Sequence, residues 1–309
     1  MVRDRRVIME LRQLEYFLAC CDAGTFTAAA KSLHVVQSAV SSSMAKLEKE
    51  VGARLFDRTT TALVLTEAGQ AIVEPARAAL RARSEIVEAI GALRGDISGH
   101  VSVGALINIA TIDLAEAFGE VHRRHPGITI AMRQNQQGSA GNVRGIRDGT
   151  LDLALLGGLP DLVPGVVAHR LAAEPLVLVG SPDHPLVQAG SFSVADLADE
   201  RTIDFPPGWG TRAITDRYVP NRRSVIEVAD QDFGIQLALN GFGLSLVPTS
   251  VVAGHPRARP AHCRDADLTW VISIAHSATR TPSTVARAVL DIVREVTTER
   301  AIENGSRHG

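Results

Sequence analysis

Valine, methionine and leucine recur at Val40, Met44, Leu47 and Val51, inside the stretch from Ala28 to Lys49. That i, i+4, i+7, i+11 spacing fixes one face of an α-helix against a core. The opposite face carries Ser38, Ser41, Ser42, Ala45, Lys46 and Lys49. Small hydroxyls suit base edges and ammonium groups reach phosphates, so this face has the chemistry of a helix laid in a DNA groove. Taken alone, the segment reads equally well as an amphipathic helix with a solvated face, and its neighbours decide. Leu11, Leu14, Phe17, Leu18 and Cys21 give helical spacing to a first helix stopped by Ala23-Gly24, and Thr25 or Thr27 is placed to cap a short alanine-rich second helix. Gly52 stops the third. Beyond it, Leu55-Phe56 and Leu63-Val64-Leu65 are strand-like, with Thr59 to Ala62 turning between them. Three short helices and a two-stranded wing make a winged helix-turn-helix.

These residues resemble the amino-terminal domain of LysR-type transcriptional regulators, without gaps from Leu11 to Gly69. The resemblance rests on fixed spacings among Phe17, Ala29-Ala30, Leu33, Gln37, Ser38, Ser41, Leu47-Glu48, Gly52, Leu55-Phe56, Arg58, Leu65-Thr66 and Gly69. It implies DNA contacts from Thr27, Gln37, Ser38, Ser41, Ser42, Lys46, Lys49 and Arg58. Two departures stand out. Val36 occupies a position where the family usually has Ser or Thr, and it offers no side-chain oxygen for an N-cap. Ser42, Thr61, Ala62 and Val64 stand where the family often has basic residues, which predicts fewer phosphate contacts and a weaker salt dependence.

Charge alone does not reveal a polyanion partner. The chain carries a formal −2, and its first 66 residues hold nine Lys/Arg against seven Asp/Glu. Without the leading Arg3, Arg5, Arg6 and Asp4 the winged domain is neutral, so the placement of Lys46, Lys49 and Arg58 carries the DNA reading. Residues 1–8, ahead of MELRQLEYF, read as a disordered basic extension or as the product of an upstream start codon; they lack the apolar core of a secretory signal, and no run reaches membrane-spanning length. The expected location is the cytoplasm. Cys20, Cys21 and Cys263 form no disulfide framework or metal spacing, and no cofactor is expected.

Thr66 to Arg94 predicts one long helix, with Thr66 as its N-cap and Gly95 just past its end. Its stripe of Ile72, Ala76, Ala79-Leu80, Ile86-Val87, Ile90 and Leu93 is longer than a small winged domain can cover, which points to a second copy of the helix as partner; a lone linker helix is the alternative. Pro75 is expected to bend the helix or end its first section. After the hinge GDISG the pattern turns to alternating strands and helices. Strands are predicted at HVSVGAL, Ile128 to Arg133, LDLALLG, PLVLVGSP, RTIDF, SVIEV and GLSLVP. Helices are predicted at Thr111 to His125, Gly141 to Asp148 and Pro282 to Val296. HRRHPGITI, GTLDLALLG, LVLVGSPDHPL and ALNGFGLSLVP extend the resemblance, which implies two periplasmic-binding-protein-like lobes with crossings near His169 and Leu268.

The expected architecture is therefore an α+β multidomain chain. It comprises an extension (1–9), a winged helix-turn-helix (10–66), a dimerising linker helix (67–95), a two-lobed α/β effector domain (96–300) and a tail (301–309). Lobe I takes 96–168 and 269–300, and lobe II takes 169–268. Ligands of such folds sit outside strand ends, which together with the resemblance nominates Asn108, Gly138 and Ser139 in one lobe and Phe205, Trp209, Thr211, Asp230 and Phe233 in the other. FPPGWGTR reads as a rigid loop, and Arg212 there either pairs an anionic effector or is taken by Asp230. Ordinary loop chemistry is the competing reading for each: Ser139 as a helix cap, Trp209 as packing between lobes. Catalytic readings are poor. His122 and His125 lack a third ligand, Ser181 beside Asp183-His184 lacks an oriented base, and no phosphate-binding Gly-rich loop is present.

The resemblance implies a transcriptional regulator whose partners are double-stranded promoter DNA, a small-molecule effector and further copies of the chain. Pairing would run through the linker helix into a dimer of dimers, and RNA polymerase is a further candidate partner. The alternative is a small-molecule-binding α/β module with a degenerate DNA-binding domain.

Overall fold

The computed structural model describes residues 9–57, 62–94, 96–106, 111–159 and 163–306. Thr59 to Thr61, most of the expected wing turn, together with Arg58, Gly95 and Asn108, lie outside them. The chain forms two compact units, Met1–Ile90 and Gly91–Gly309.

The first unit holds α1 (Leu11–Ala23), α2 (Phe26–Ser32), α3 (Gln37–Val51), β1 (Phe56–Asp57), β2 (Val64–Leu65) and most of α4 (Glu67–Leu93). The apolar stripe of α3 does what its spacing requires: Val40, Met44 and Leu47 are fully buried beside Phe17 and Leu55. Phe56 closes this core, with the rings of Phe17 and Phe26 at 5.5 and 6.2 Å. Thr25, not Thr27, caps α2, its Oγ1 accepting from the Ala28 N–H at 3.1 Å. Val36 at the start of α3 makes no capping bond. Cys20 is buried, and burial pushes its thiol up to about 12 and that of Cys21 up to about 11, which makes both inert small hydrophobes at neutral pH.

Thr66 caps α4 as expected: its Oγ1 accepts from the Gly69 N–H at 3.0 Å and donates to the Arg54 carbonyl at 2.6 Å. Gly69 is required here, because a Cβ would stand 2.2 Å from the Leu55 carbonyl oxygen. Pro75 does not end the helix; α4 is continuous from Glu67 to Leu93. Ile72, Val73, Ala76, Ala79 and Leu80 pack on the winged core, and Arg77–Asp22 (3.6 Å) and Arg83–Glu15 ion pairs tie α4 to α1. This packing offsets the backbone hydrogen bond that the proline ring removes.

The second unit runs β3 (Gly99–Ala105), α5 (Leu114–Arg124), β4 (Ile128–Gln134), α6 (Gly138–Arg147), β5 (Leu153–Gly157), β6 (Val166–Val179), α7 (Pro185–Ala189), β7 (Ser191–Phe192), β8 (Arg201–Asp204), α8 (Gly210–Tyr218), β9 (Arg223–Glu227), α9 (Gln231–Leu239), β10 (Ser245–Pro248), α10 (Thr249–Val252), β11 (His262–Cys263), β12 (Thr269–Ser277) and α11 (Thr284–Ser306). Six strands form one sheet in the order β10-β6-β12-β5-β3-β4. β3 is parallel to β4 and β5, while β12 runs antiparallel to both β5 and β6. β6 and β12, the longest strands of this sheet, pair with each other antiparallel. β8 and β9 make a separate parallel pair.

Three expectations need correction. The segment Phe205 to Arg212 is not loop throughout: Gly210 opens α8. α6 starts at Gly138 and not Gly141, because Gly138 takes φ of +53°, turning the chain from β4 directly into the helix. Arg212 meets neither an open cleft nor Asp230. Its guanidinium donates to Asp216 (2.8 Å), Glu227 (3.3 Å) and the Phe205 carbonyl (3.0 Å).

Below α8 lies a buried ion pair. Arg222 donates to Asp204 at 2.8 and 3.1 Å, and both side chains are 4% exposed. Removing Asp204 takes the bidentate partner from buried Arg222 and leaves it Asp216 at 2.6 Å, half-exposed, so the cost lies at the lower end of the about 3–5 kcal/mol of a broken buried pair. Asp204→Ala is therefore expected to lower the thermal midpoint of this unit by roughly 10 °C in calorimetry; a shift within experimental error would mean the pair is hydrated in solution.

Candidate functional site

Two surfaces carry candidate chemistry. On the first unit, α3 turns Gln37, Ser38, Ser42, Lys46 and Lys49 to solvent, with Thr27 exposed on α2. Ser41 is half-buried and its hydroxyl donates back to the Ser38 carbonyl at 3.2 Å, leaving lone pairs for a base donor. Lys46 is not free: its Nζ lies 3.1 Å from Glu10, which holds the ammonium above the ordinary lysine range. A phosphate must displace that carboxylate to use Lys46. The sequence reading missed this pairing, since Glu10 is far from Lys46 in the chain. On the wing, Val64 is exposed in register with Asp57, so an apolar and an acidic side chain stand where a phosphate contact would want a cation.

In the second unit a cleft opens at the strand ends. Ala105 and Leu106 come from the end of β3, Asn135 from the turn after β4, and Gly138 and Ser139 from the start of α6. Across from them stand Trp209, Gly210 and Thr211 at the start of α8, Gln231 at the start of α9, and Trp270 on β12. Of the residues nominated from sequence, Gly138, Ser139, Trp209 and Thr211 meet here. Phe205 lies behind the wall, stacked on Trp209 with ring centroids 5.9 Å apart. Asp230 caps α9 by accepting from the Phe233 N–H at 3.0 Å, and the Phe233 side chain is half exposed, outside the lining.

Side-chain roles in the cleft differ sharply. The Ser139 hydroxyl is fully buried and spent on the end of β5, donating to the Gly157 carbonyl (3.0 Å) and accepting from its N–H (2.9 Å). Trp209 spans the cleft, its Nε1 donating to the Gln136 carbonyl at 3.1 Å. Thr211 Oγ1, Gln231 Oε1 and Trp270 Nε1 are buried and bond to nothing in the protein. Sequence reasoning missed Gln231 and Trp270. β12 is not among the strands predicted from sequence, although Trp270, Ile272 and Ile274 alternate inward along it, and nothing local says which strand end meets the cleft.

The residues weighed for catalysis have structural work. The Ser181 hydroxyl accepts from the Asp183 N–H (3.3 Å), and His184 Nδ1 accepts from the Leu186 N–H (3.3 Å) at the start of α7. Among the described residues no three His, Cys, Asp or Glu side chains gather as a metal site.

Residues 11–70 match the model of the bacterial regulatory helix-turn-helix protein, lysR family, and residues 94–298 match the LysR substrate binding domain. The RuBisCO operon transcriptional regulator of Allochromatium vinosum is 33% identical over 247 residues, covering 77% of this chain and 79% of its own. Among solved structures, a full-length OxyR variant from Pseudomonas aeruginosa superposes with a TM-score of 0.73 at 24% identity, covering 94% of each chain, and shows the shared fold. Full-length CbnR complexed with its target DNA has a TM-score of 0.60 at 27% identity, covering 93% of this chain and all of its own. Two domain matches that together take in most of the chain, in the order the fold presents them, settle its kinship: this protein belongs to the LysR family of bacterial helix-turn-helix regulators.

Proposed function

We propose that this protein is a sequence-specific, DNA-binding transcriptional regulator whose promoter binding is modulated by a small molecule held in the cleft between the two lobes. One observation carries the reading. α3 is divided lengthwise into a fully buried apolar stripe and a face of amide, hydroxyl and ammonium groups, as groove recognition requires. Gln37, Ser38, Ser41 and Ser42 read base edges; Thr27, Lys46, Lys49 and Arg58 hold phosphates. The domains behind this division run 10–66, 67–95 and 96–300. The protein works in the cytoplasm as a homodimer through α4, assembled as a dimer of dimers on promoter DNA, with RNA polymerase a further candidate partner. It is a binding protein and not an enzyme. No helix among the described residues is long and apolar enough to cross a membrane.

Footprinting on the DNA upstream of its own gene tests this at physiological salt. Protection over an imperfect inverted repeat is expected. Ser41→Ala should change base preference, whereas Lys46→Ala should weaken all sequences alike and reduce the salt slope by about one. If neither substitution alters binding, the face is misassigned. If the folded protein protects nothing, the uncapped Val36 and the Lys46–Glu10 pair have cost it DNA recognition, and the small-molecule module with a degenerate DNA-binding domain becomes the better account.

A further inference from the structure

The cleft lining carries no charged side chain among the described residues, yet three of its buried polar atoms are unpartnered. Thr211 is 2% exposed, Gln231 2% and Trp270 4%. Such groups are destabilising when left without a partner, so a cluster of them in one cleft is a recognition pattern waiting for its complement. The pattern can be read atom by atom. Trp270 Nε1 is a donor only and requires an acceptor. Gln231 Oε1 is an acceptor and requires a donor. Thr211 Oγ1 accommodates either.

Charge is set by the helix starts. α6, α8 and α9 all begin at the cleft, and all are at least nine residues long. Trp209, at the start of α8, makes no side-chain cap bond, whereas the Asp230 carboxylate caps α9 and the Gly138 and Ala140 N–H groups of α6 are already taken by the Asn135 and Gly208 carbonyls. The open N-terminus of α8 presents roughly half a positive charge, which attracts one anionic group and does not balance two. No guanidinium adds to this, because Arg212 in the first turn of α8 is held by Asp216 and Glu227. Residues 107–110, next in the chain after Leu106 and outside the described residues, are Ile, Asn, Ile and Ala, and add no charge by their identity.

We propose that the effector is a small monoanion with a neighbouring hydroxyl, a hydroxy-monocarboxylate, whose carboxylate faces the start of α8 and Trp270 Nε1 and whose hydroxyl donates to Gln231. This rests on the reading of the cleft as the effector site and narrows it to a ligand class. Dicarboxylates are excluded by the second uncompensated charge, uncharged amides lose the helix-dipole attraction, and deoxy acids leave Gln231 Oε1 without a donor. Ala105, Leu106 and the two indoles supply apolar walls for the remainder of the ligand.

The chain has two tryptophans, Trp209 and Trp270, and both line this cleft, so intrinsic emission of the full-length protein reports its occupancy. Lactate and mandelate are titrated beside the deoxy acids propionate and phenylacetate, the amides lactamide and mandelamide, and the dicarboxylates malate and phenylsuccinate. At least one of the two hydroxy acids is expected to change emission saturably and to bind about tenfold or more tightly than each of its matched compounds. Gln231→Met, which preserves shape, should abolish the advantage of the hydroxy acid over its deoxy partner and leave the deoxy acid unchanged. A dicarboxylate or amide that binds at least as tightly overturns the proposal, as does the absence of any emission change across the panel. Adding the binding compound to the footprint separates the two readings. A change in emission with an unaltered footprint overturns the effector role but not the ligand class. A footprint altered by a compound outside the class, with its emission change, overturns the class but not the role.

Discussion

Ile86→Asp is expected to turn the protein from a dimer into a monomer in sedimentation velocity, with the winged unit still folded. α4 divides into two halves with different partners. Its first half is covered at home: Ile72, Val73, Ala76, Ala79 and Leu80 pack on the winged core. Its second half is bare, with Ile86 68%, Val87 69% and Ile90 51% exposed. Three large aliphatic side chains on two successive turns of one helix make a stripe that a lone chain has no reason to keep in water. In a two-fold pair each substitution acts twice. Losing two buried isoleucines removes about 3–6 kcal/mol before the cost of burying two aspartates is added. The dimer should therefore weaken by more than about a hundredfold, and the footprint should contract toward a single half-site. Persistence of the dimer at micromolar protein would move the interface away from α4. Leu80, on the same sequence stripe, is the wrong place to test pairing. It belongs to the winged core, so a charge there would unfold the domain and mimic dissociation.

That contrast shows what the sequence could and could not supply. Periodicity gave the α4 stripe as one feature, because spacing records which residues share a face but not what covers them. The same limit operates at the cleft. Gly138, Ser139, Trp209 and Thr211 were nominated from strand ends together with the family resemblance, and the fold brings these four to one cleft. Their roles were not legible. Ser139 is committed to Gly157, and only the packing of α6 on β5 reveals it. Trp270 entered the site from a strand remote in sequence, and Gln231 from the first turn of a helix whose cap, Asp230, drew attention instead. The winged domain was read more completely, since its core is built from neighbours within 70 residues. Even there, the Lys46–Glu10 pair depends on how α1 meets α3.

Gly210→Ala is expected to abolish the emission response of the cleft and to leave effector-free DNA binding intact. α8 begins directly against the end of β5, backbone on backbone. A Cβ on Gly210 would lie 1.8 Å from the Gly157 carbonyl oxygen and 2.9 Å from the Gly158 nitrogen, and a Cβ on Gly158 would lie 2.6 Å from the Gly210 carbonyl oxygen. No rotamer change relieves a clash between main chains, so α8 must retreat from β5 by more than about 1 Å. That movement carries Thr211 away from Trp270 and strains the hydrogen bonds between Ser139 and Gly157, separating the groups a ligand must bridge. Overpacking of this kind costs about 1–3 kcal/mol, and the midpoint of the second unit should fall by roughly 3–10 °C. Gly119→Ala on α5, where an added Cβ meets nothing within 4 Å, serves as the control and should stabilise by about 0.5–1 kcal/mol. The comparison bears on mechanism. A ligand shifts a regulator only through different affinity for two arrangements, and in this fold the contact between Gly210 and Gly157 joins the start of α8 to the end of β5 beside the cleft. If Gly210→Ala binds ligand unchanged, that contact is already open in solution, and the signal must leave the cleft by another route.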